Sequence, residues 1–117
     1  MSKAKKRLKN ILESIEDIEF IINNNNLKIS TAIENRVLKP AIRMNLIKIA
    51  EQFNKLKNEN EFEILQNFSK NDLRGISALR NYIAHDYDST DDEIIDDVIR
   101  YNLPILKDII EKILNND

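Results

Sequence analysis

A chain of 117 residues that contains one glycine and two prolines has few places to turn tightly. An antiparallel β fold needs many turns, so the scarcity of turn-formers favours long helices. The length suits one domain, residues 1–117, with a core of modest size. Hydrophobic residues make up 42% and charged residues 32% of the chain. That balance belongs to a globular chain and not to a disordered one. The absence of cysteine excludes disulfides, thiolate-held iron–sulfur clusters and thiolate zinc sites. A zinc site built on the single histidine would need carboxylates for its other ligands, an uncommon arrangement.

The longest apolar runs fall far short of a membrane span. The basic start, Met1 to Lys9, leads into no apolar signal core. The expected location is therefore the cytoplasm, away from membranes. The formal charge is −2, so any contact with nucleic acid has to be local.

Apolar spacing divides the chain into helices. Leu8, Ile11, Ile15, Ile18 and Ile22 recur at intervals of three and four, which predicts a first helix over about Lys3 to Ile22. Leu12, Phe20 and Ile21 are expected to widen its stripe. Asn23 to Asn26 stop it, because asparagine competes for backbone hydrogen bonds and tolerates the left-handed conformation. Ser30 or Thr31 offers a cap for a second helix, with Glu34 in its first turn. Pro40 interrupts that helix, giving a kink or a restart. Ile42, Leu46, Ile49, Phe53 and Leu56 then repeat the spacing of the first helix, so the two should pack antiparallel.

Lys57 to Glu61 reads as a loop. Phe62, Ile64, Leu65 and Phe68 suggest a short docked turn of helix. Ser69 and Asp72 form a capping pair before Ile76, Leu79 and Ile83. This helix should fade between His85 and Asp88. Thr90 to Glu93 is a strong start signal, with a cap residue and acids near the positive helix end. Ile94, Ile95, Val98, Leu103, Leu106, Ile110 and Ile113 run to the end of the chain, and Pro104 marks a bend or a new helix start. No strand and no internal repeat is evident.

Chemistry-bearing side chains concentrate between Leu79 and Asp88. The segment holds the only histidine, two of the three tyrosines, Arg80 and two aspartates. Arginine presents a planar fork of donors suited to phosphate. Histidine is the natural proton shuttle near neutral pH. Together they suit chemistry on a phosphodiester. Each also has a plainer reading. A lone arginine on a helix is usually solvated or ion-paired, and a histidine near a helix end often caps or packs. A tyrosine there is usually an amphipathic packing residue. The acids from Asp88 to Asp97 read mainly as a cap and a solvated face.

Helix geometry adds a constraint. Residues five apart on an ideal helix point about 140° from each other, so Arg80 and His85 of one chain would not face one point. Either the helix ends between them or a second copy supplies the other half. A two-fold dimer with this segment at its axis would resolve the problem.

The run Arg80-Asn81-Tyr82-Ile83-Ala84-His85 resembles the signature of the HEPN superfamily: an arginine, a polar residue, three more residues and a histidine. The HepT branch adds a tyrosine two places after the histidine, and Tyr87 stands there. Ala41 to Glu51 looks like that branch's helix around a Gly-Glu pair. Ile94 to Leu106 is similar to its last helix, including the Asn/Asp-Leu-Pro step. The resemblance covers roughly Leu8 to Leu114. Ala50 stands where the family commonly has glycine before Glu51, and Ala78 where it commonly has glycine two places before the arginine. Both replacements are small, which keeps close helix approach open. The stretch from Lys57 to Phe68 lacks the Pro-Trp step common in the branch.

The resemblance implies an all-α, up-down bundle of about five helices that pairs as a two-fold homodimer. It implies a metal-independent endoribonuclease, with no cofactor, that acts as the toxin of a type VII toxin–antitoxin system. Arg80 would hold the scissile phosphate and His85 would move protons. Asn81 would orient the backbone or the phosphate, and Glu51 would support Arg80 or His85. The implied partners are RNA and an MNT-type nucleotidyltransferase antitoxin that transfers AMP to Tyr87. A bulky anionic group beside Arg80 and His85 would then occupy the place of the RNA phosphate. Two alternatives remain open: a non-catalytic nucleotide-binding subunit of a nucleotidyltransferase, and a helical dimer whose Arg–His–Asp network is only structural.

Overall fold

A computed structural model describes residues 2–85 and 92–116. They are mostly helical, with no strand among them, as the lack of turn-formers predicts. The helices are α1 (Lys3–Asn24), α2 (Ile29–Ala32), α3 (Lys39–Asn58), α4 (Phe62–Leu65), α5 (Lys70–His85), α6 (Asp92–Asp97) and α7 (Leu103–Asn115), with a π-helical stretch, Val98–Asn102, joining the last two.

α1 starts where the Ser2 hydroxyl accepts a hydrogen bond from the Lys5 amide at 3.2 Å. It stops at the asparagine run. The Asn25 side chain donates to the Ile21 carbonyl at 2.6 Å, and Asn26 takes the left-handed conformation at φ 53°. The polarity of α1 is unusual. Lys3, Lys5 and Lys6 occupy a first turn that has no acid, while Glu13, Glu16, Asp17 and Glu19 lie further along.

The second element differs from expectation. Ser30 and Thr31 do not cap it; they lie inside a single turn of helix that ends at Ala32. The residue at its cap position is Lys28, with no side-chain cap, and Asn35 instead closes the turn before α3, its side-chain oxygen accepting from the Val37 and Leu38 amides at 2.9 and 3.1 Å. Pro40 then stands in the first turn of α3, where its missing N–H costs no intrahelical bond. The proline is thus a start, not a kink.

α3 runs antiparallel to α1, with Arg7 near the start of α1 beside Gln52 and Glu59 at the far end of α3. The predicted stripes meet in the core: Leu8, Ile11, Ile15 and Ile18 from α1, and Ile42, Leu46, Ile49 and Leu56 from α3, are all buried. Burying each such side chain is worth about 1.5–3 kcal/mol. Phe20 is not part of this core. It is 66% exposed, because it lies two residues past Ile18 and so on nearly the opposite side of the helix.

α4 is the short docked turn the sequence suggests, although Phe62 itself is exposed. The ring it helps to deliver is Phe68, which meets Phe53 edge to face with centroids 5.1 Å apart. Ser69 caps α5, accepting from the Asp72 amide at 3.0 Å. α5 buries Ile76, Leu79 and Ile83 and packs along α3. The Thr90 cap expected before α6 lies outside the described residues.

Pro104 sets the form of the last helix. A proline ring collides with the carbonyl four residues earlier and offers no donor to it. The backbone widens instead: the Leu103 amide bonds to the Val98 carbonyl, five residues back. Helix continues through the proline, with Leu103, Leu106 and Ile110 buried. At this wide turn the Asn102 side chain donates to Asp72 at 2.9 Å and ties it to the start of α5.

Candidate functional site

α5 presents three different sides. Ile76, Leu79 and Ile83 face the core. Gly75, Ala78 and Tyr82, at intervals of three and four, share an outward side, with Tyr82 40% exposed. A Cβ added at Gly75 would meet nothing within 4 Å. Ala78 is exposed as well, so neither small residue is required by packing within one chain.

Arg80 lies on the third side. It is seven residues past Leu73, so it stands within about 20° of that residue around the helix and about 10 Å further along. Leu73 lines a groove of about 450 Å³ between α3 and α5. Arg80 is exposed and enters no ion pair among the described residues. Among the described residues its side chain makes one hydrogen bond, from Nη1 to the Asn81 side-chain oxygen at 3.5 Å, the outer limit for such a bond. The described residues therefore leave most of its donor fork unused.

His85 is the last residue of α5. Its side chain lies outside what the structure describes, as do residues 86–91, including the predicted modification site Tyr87. The backbone is nonetheless informative, because α5 is helical from Lys70 through His85. The helix does not end between the two signature residues, so their backbone positions stand about 140° apart around its axis. Glu51 sits on α3, exposed and with no ion pair or side-chain hydrogen bond among the described residues. Its neighbour Ala50 is buried and lines the groove.

The groove also carries features that the sequence reading did not single out. Asn54, Lys57, Lys70, Arg74 and Ser77 line it together with apolar side chains that include Phe53 and Ile76. Among the described residues, none of Lys57, Lys70 and Arg74 enters an ion pair. Only the spacing of Lys70, Arg74 and Ser77, on one side of a helix that ends in the signature, hints at them in the sequence.

Several charges elsewhere are committed to the fold. Arg7 and Lys3 both bond to Glu59 and hold its carboxyl down at about 2, against an ordinary 4.5. Lys107 bonds to Glu19 at 2.9 Å, which raises the lysine above its usual value and ties α7 to α1. No group of three or more His, Cys, Asp or Glu side chains among the described residues is placed to hold a metal ion. No helix among them is long and apolar enough to cross a membrane.

An all-helical bundle with an arginine–histidine signature on one exposed helix defines a HEPN-type domain. The chain belongs to the ribonuclease HepT-like family, whose model matches residues 11–113. Comparison with curated proteins and with solved structures gave no match.

Proposed function

We propose that this chain is an endoribonuclease that works as a symmetric homodimer, the toxin of a type VII toxin–antitoxin pair in the cytoplasm. The observation that carries the reading is an exposed Arg80 that enters no ion pair among the described residues, on an α5 that stays helical through His85. One copy places the two residues about 140° apart around the helix, and a two-fold axis beside α5 would bring the Arg80 of one protomer towards the His85 of its partner. The outward Gly75 and Ala78, with little side chain to hold helices apart, support that approach.

In such a cleft the chemistry follows from residue type. The Arg80 fork binds the scissile phosphate and offsets the charge that grows on it. The ribose 2′-hydroxyl attacks the adjacent phosphorus and gives its proton to one imidazole. The P–O5′ bond breaks, and the leaving 5′ oxygen takes a proton from the other imidazole. The products are a 2′,3′-cyclic phosphate and a free 5′-hydroxyl, so no metal is needed. Asn81 holds Arg80 in place from the neighbouring position, and Glu51 gives orientation from α3. AMP placed on Tyr87 by a nucleotidyltransferase antitoxin would bring a competing phosphodiester to the same cleft.

The test is RNA cleavage by the purified protein in excess chelator, compared with Arg80→Ala and His85→Ala. Cleavage by wild type alone supports the reading. Equal cleavage by all three proteins ends the site assignment. Nucleotide binding with no cleavage at any protein concentration transfers the case to a nucleotide-binding subunit. Intact mass after co-expression with a nucleotidyltransferase then reads the modification: added AMP that vanishes in Tyr87→Phe assigns it.

A further inference from the structure

We propose that the groove between α3 and α5 is a path for single-stranded RNA, in which Lys57, Lys70 and Arg74 hold the phosphates that flank the one bound by Arg80. The inference rests on the ribonuclease reading for its substrate and on the groove alone for its place.

Three observations converge on it. The first is charge. The chain carries a formal charge of −2, yet three cations that enter no ion pair among the described residues gather around one groove. The second is direction. Lys70, Arg74 and Arg80 belong to one helix, and Lys57 reaches the same groove from the end of α3. From Lys70 to Arg80 is about 15 Å along the helix axis. A stacked strand rises about 3.4 Å per nucleotide, so the groove covers about four nucleotides before the signature arginine.

The third observation is the lining. Phe53, Leu73 and Ile76 give the groove an apolar floor beneath its basic and amide rim. A strand needs that combination: cations for the backbone and an apolar surface for its bases. An acidic peptide would use the rim but has no need of the floor, so RNA is the occupant the groove favours.

The triple variant Lys57→Glu/Lys70→Glu/Arg74→Glu tests the path, with far-UV circular dichroism and thermal melting as checks on folding. Lys57→Gln/Lys70→Gln/Arg74→Gln serves as a milder version should the reversals disturb the fold. The probe is a fluorescent single strand of about ten nucleotides with 2′-O-methyl sugars, which binds but cannot be cut. Its binding is followed by anisotropy across a salt series.

Each phosphate contact to a single strand contributes about 0.7 to the slope of log K against log salt. Loss of three contacts should flatten the slope by about 2 and weaken binding by at least about tenfold at low salt. Cleavage gives a second readout: KM for a long strand should rise in the variant, while cleavage of a dinucleotide stays unchanged. Equal affinity and equal slope in wild type and variant overturn the groove, even if RNA is still cut. Groove-dependent binding by a protein that cuts nothing upholds the groove and removes the ribonuclease reading instead. Displacement of the strand by a polyglutamate peptide of matched charge, at matched concentration, overturns RNA as the occupant.

Discussion

The two sides of the C-terminal end of α3 treat positive charge in opposite ways. Where α3 ends against the start of α1, Lys3 and Arg7 close on Glu59, and Arg7 reaches Gln52 as well. Two residues before Glu59, Lys57 faces the α3–α5 groove with Lys70 and Arg74, and none of the three enters an ion pair among the described residues. Arg80 stands further along the same side of α5 in the same condition. The acids of the chain outnumber its Lys and Arg, 20 to 18, so the difference does not come from a shortage of partners. Cations at the first place hold helices together, and those at the second bind no acid among the described residues.

Substitutions can break this contrast. The largest effect is expected at Arg80. Arg80→Ala should lower RNA cleavage by a factor of about 10² or more, since it removes a donor set aimed at transition-state charge. Its melting temperature should match wild type, because among the described residues that side chain makes only one long hydrogen bond, to its neighbour Asn81. A large drop in melting temperature would place Arg80 on the structural side of the comparison. Arg7→Ala should do the reverse, with cleavage retained and stability lower by about 1 kcal/mol in urea denaturation. Cleavage lost along with stability would mean that the α1–α3 end also serves the site.

The pH dependence sharpens the structural half. Glu59 is held at about 2 in the folded chain against an ordinary 4.5. A carboxyl whose folded value is depressed stabilises the fold above the unfolded value, and that contribution fades as pH falls through the window from 4.5 towards 2. Melting temperatures of wild type and Glu59→Gln should therefore differ near neutral pH and converge in acid. A constant gap across the window would show that the carboxylate charge is not what the lysine and arginine secure. The smallest effect belongs to the groove. Neutralising Lys57, Lys70 or Arg74 singly should change stability by less than about 0.5 kcal/mol, as for exposed positions without partners.

Much of the fold is legible in the sequence, because apolar spacing and helix ends are local signals. The stripes of α1 and α3 bury as their intervals predict, and Ser69 caps α5 as its position suggests. Phe20 was misread on hydrophobicity alone; its angle around the helix, which the sequence also contains, places it outside. Ser30 and Thr31 lie inside their turn of helix, which starts after Lys28, and Asn35 closes the turn before α3, a boundary shift of two or three residues that local sequence signals do not resolve. The widening before Pro104 follows from the proline, but a bend would have answered the same steric problem.

The signature arginine is legible as a motif, and its exposure agrees with a site role. The basic groove was not legible. Lys57 and Lys70 are separated by α4 and two connections, and only the return of α5 along α3 brings them to one place.

The reversed polarity of α1 bears on how the chain acquires its shape. A first turn holding Lys3, Lys5 and Lys6 and no acid sets positive side chains against the positive pole of the peptide dipoles. Each such clash disfavours an autonomous helix by about 0.3–1 kcal/mol. Glu59 supplies from α3 the negative charge that α1 does not carry at that pole. α1 is thus poorly suited to nucleate by itself, and assembly should begin in the later segments, with the first 24 residues gaining helicity as they dock. An excised peptide of this stretch should be less helical than one with the same composition and its two charge blocks exchanged.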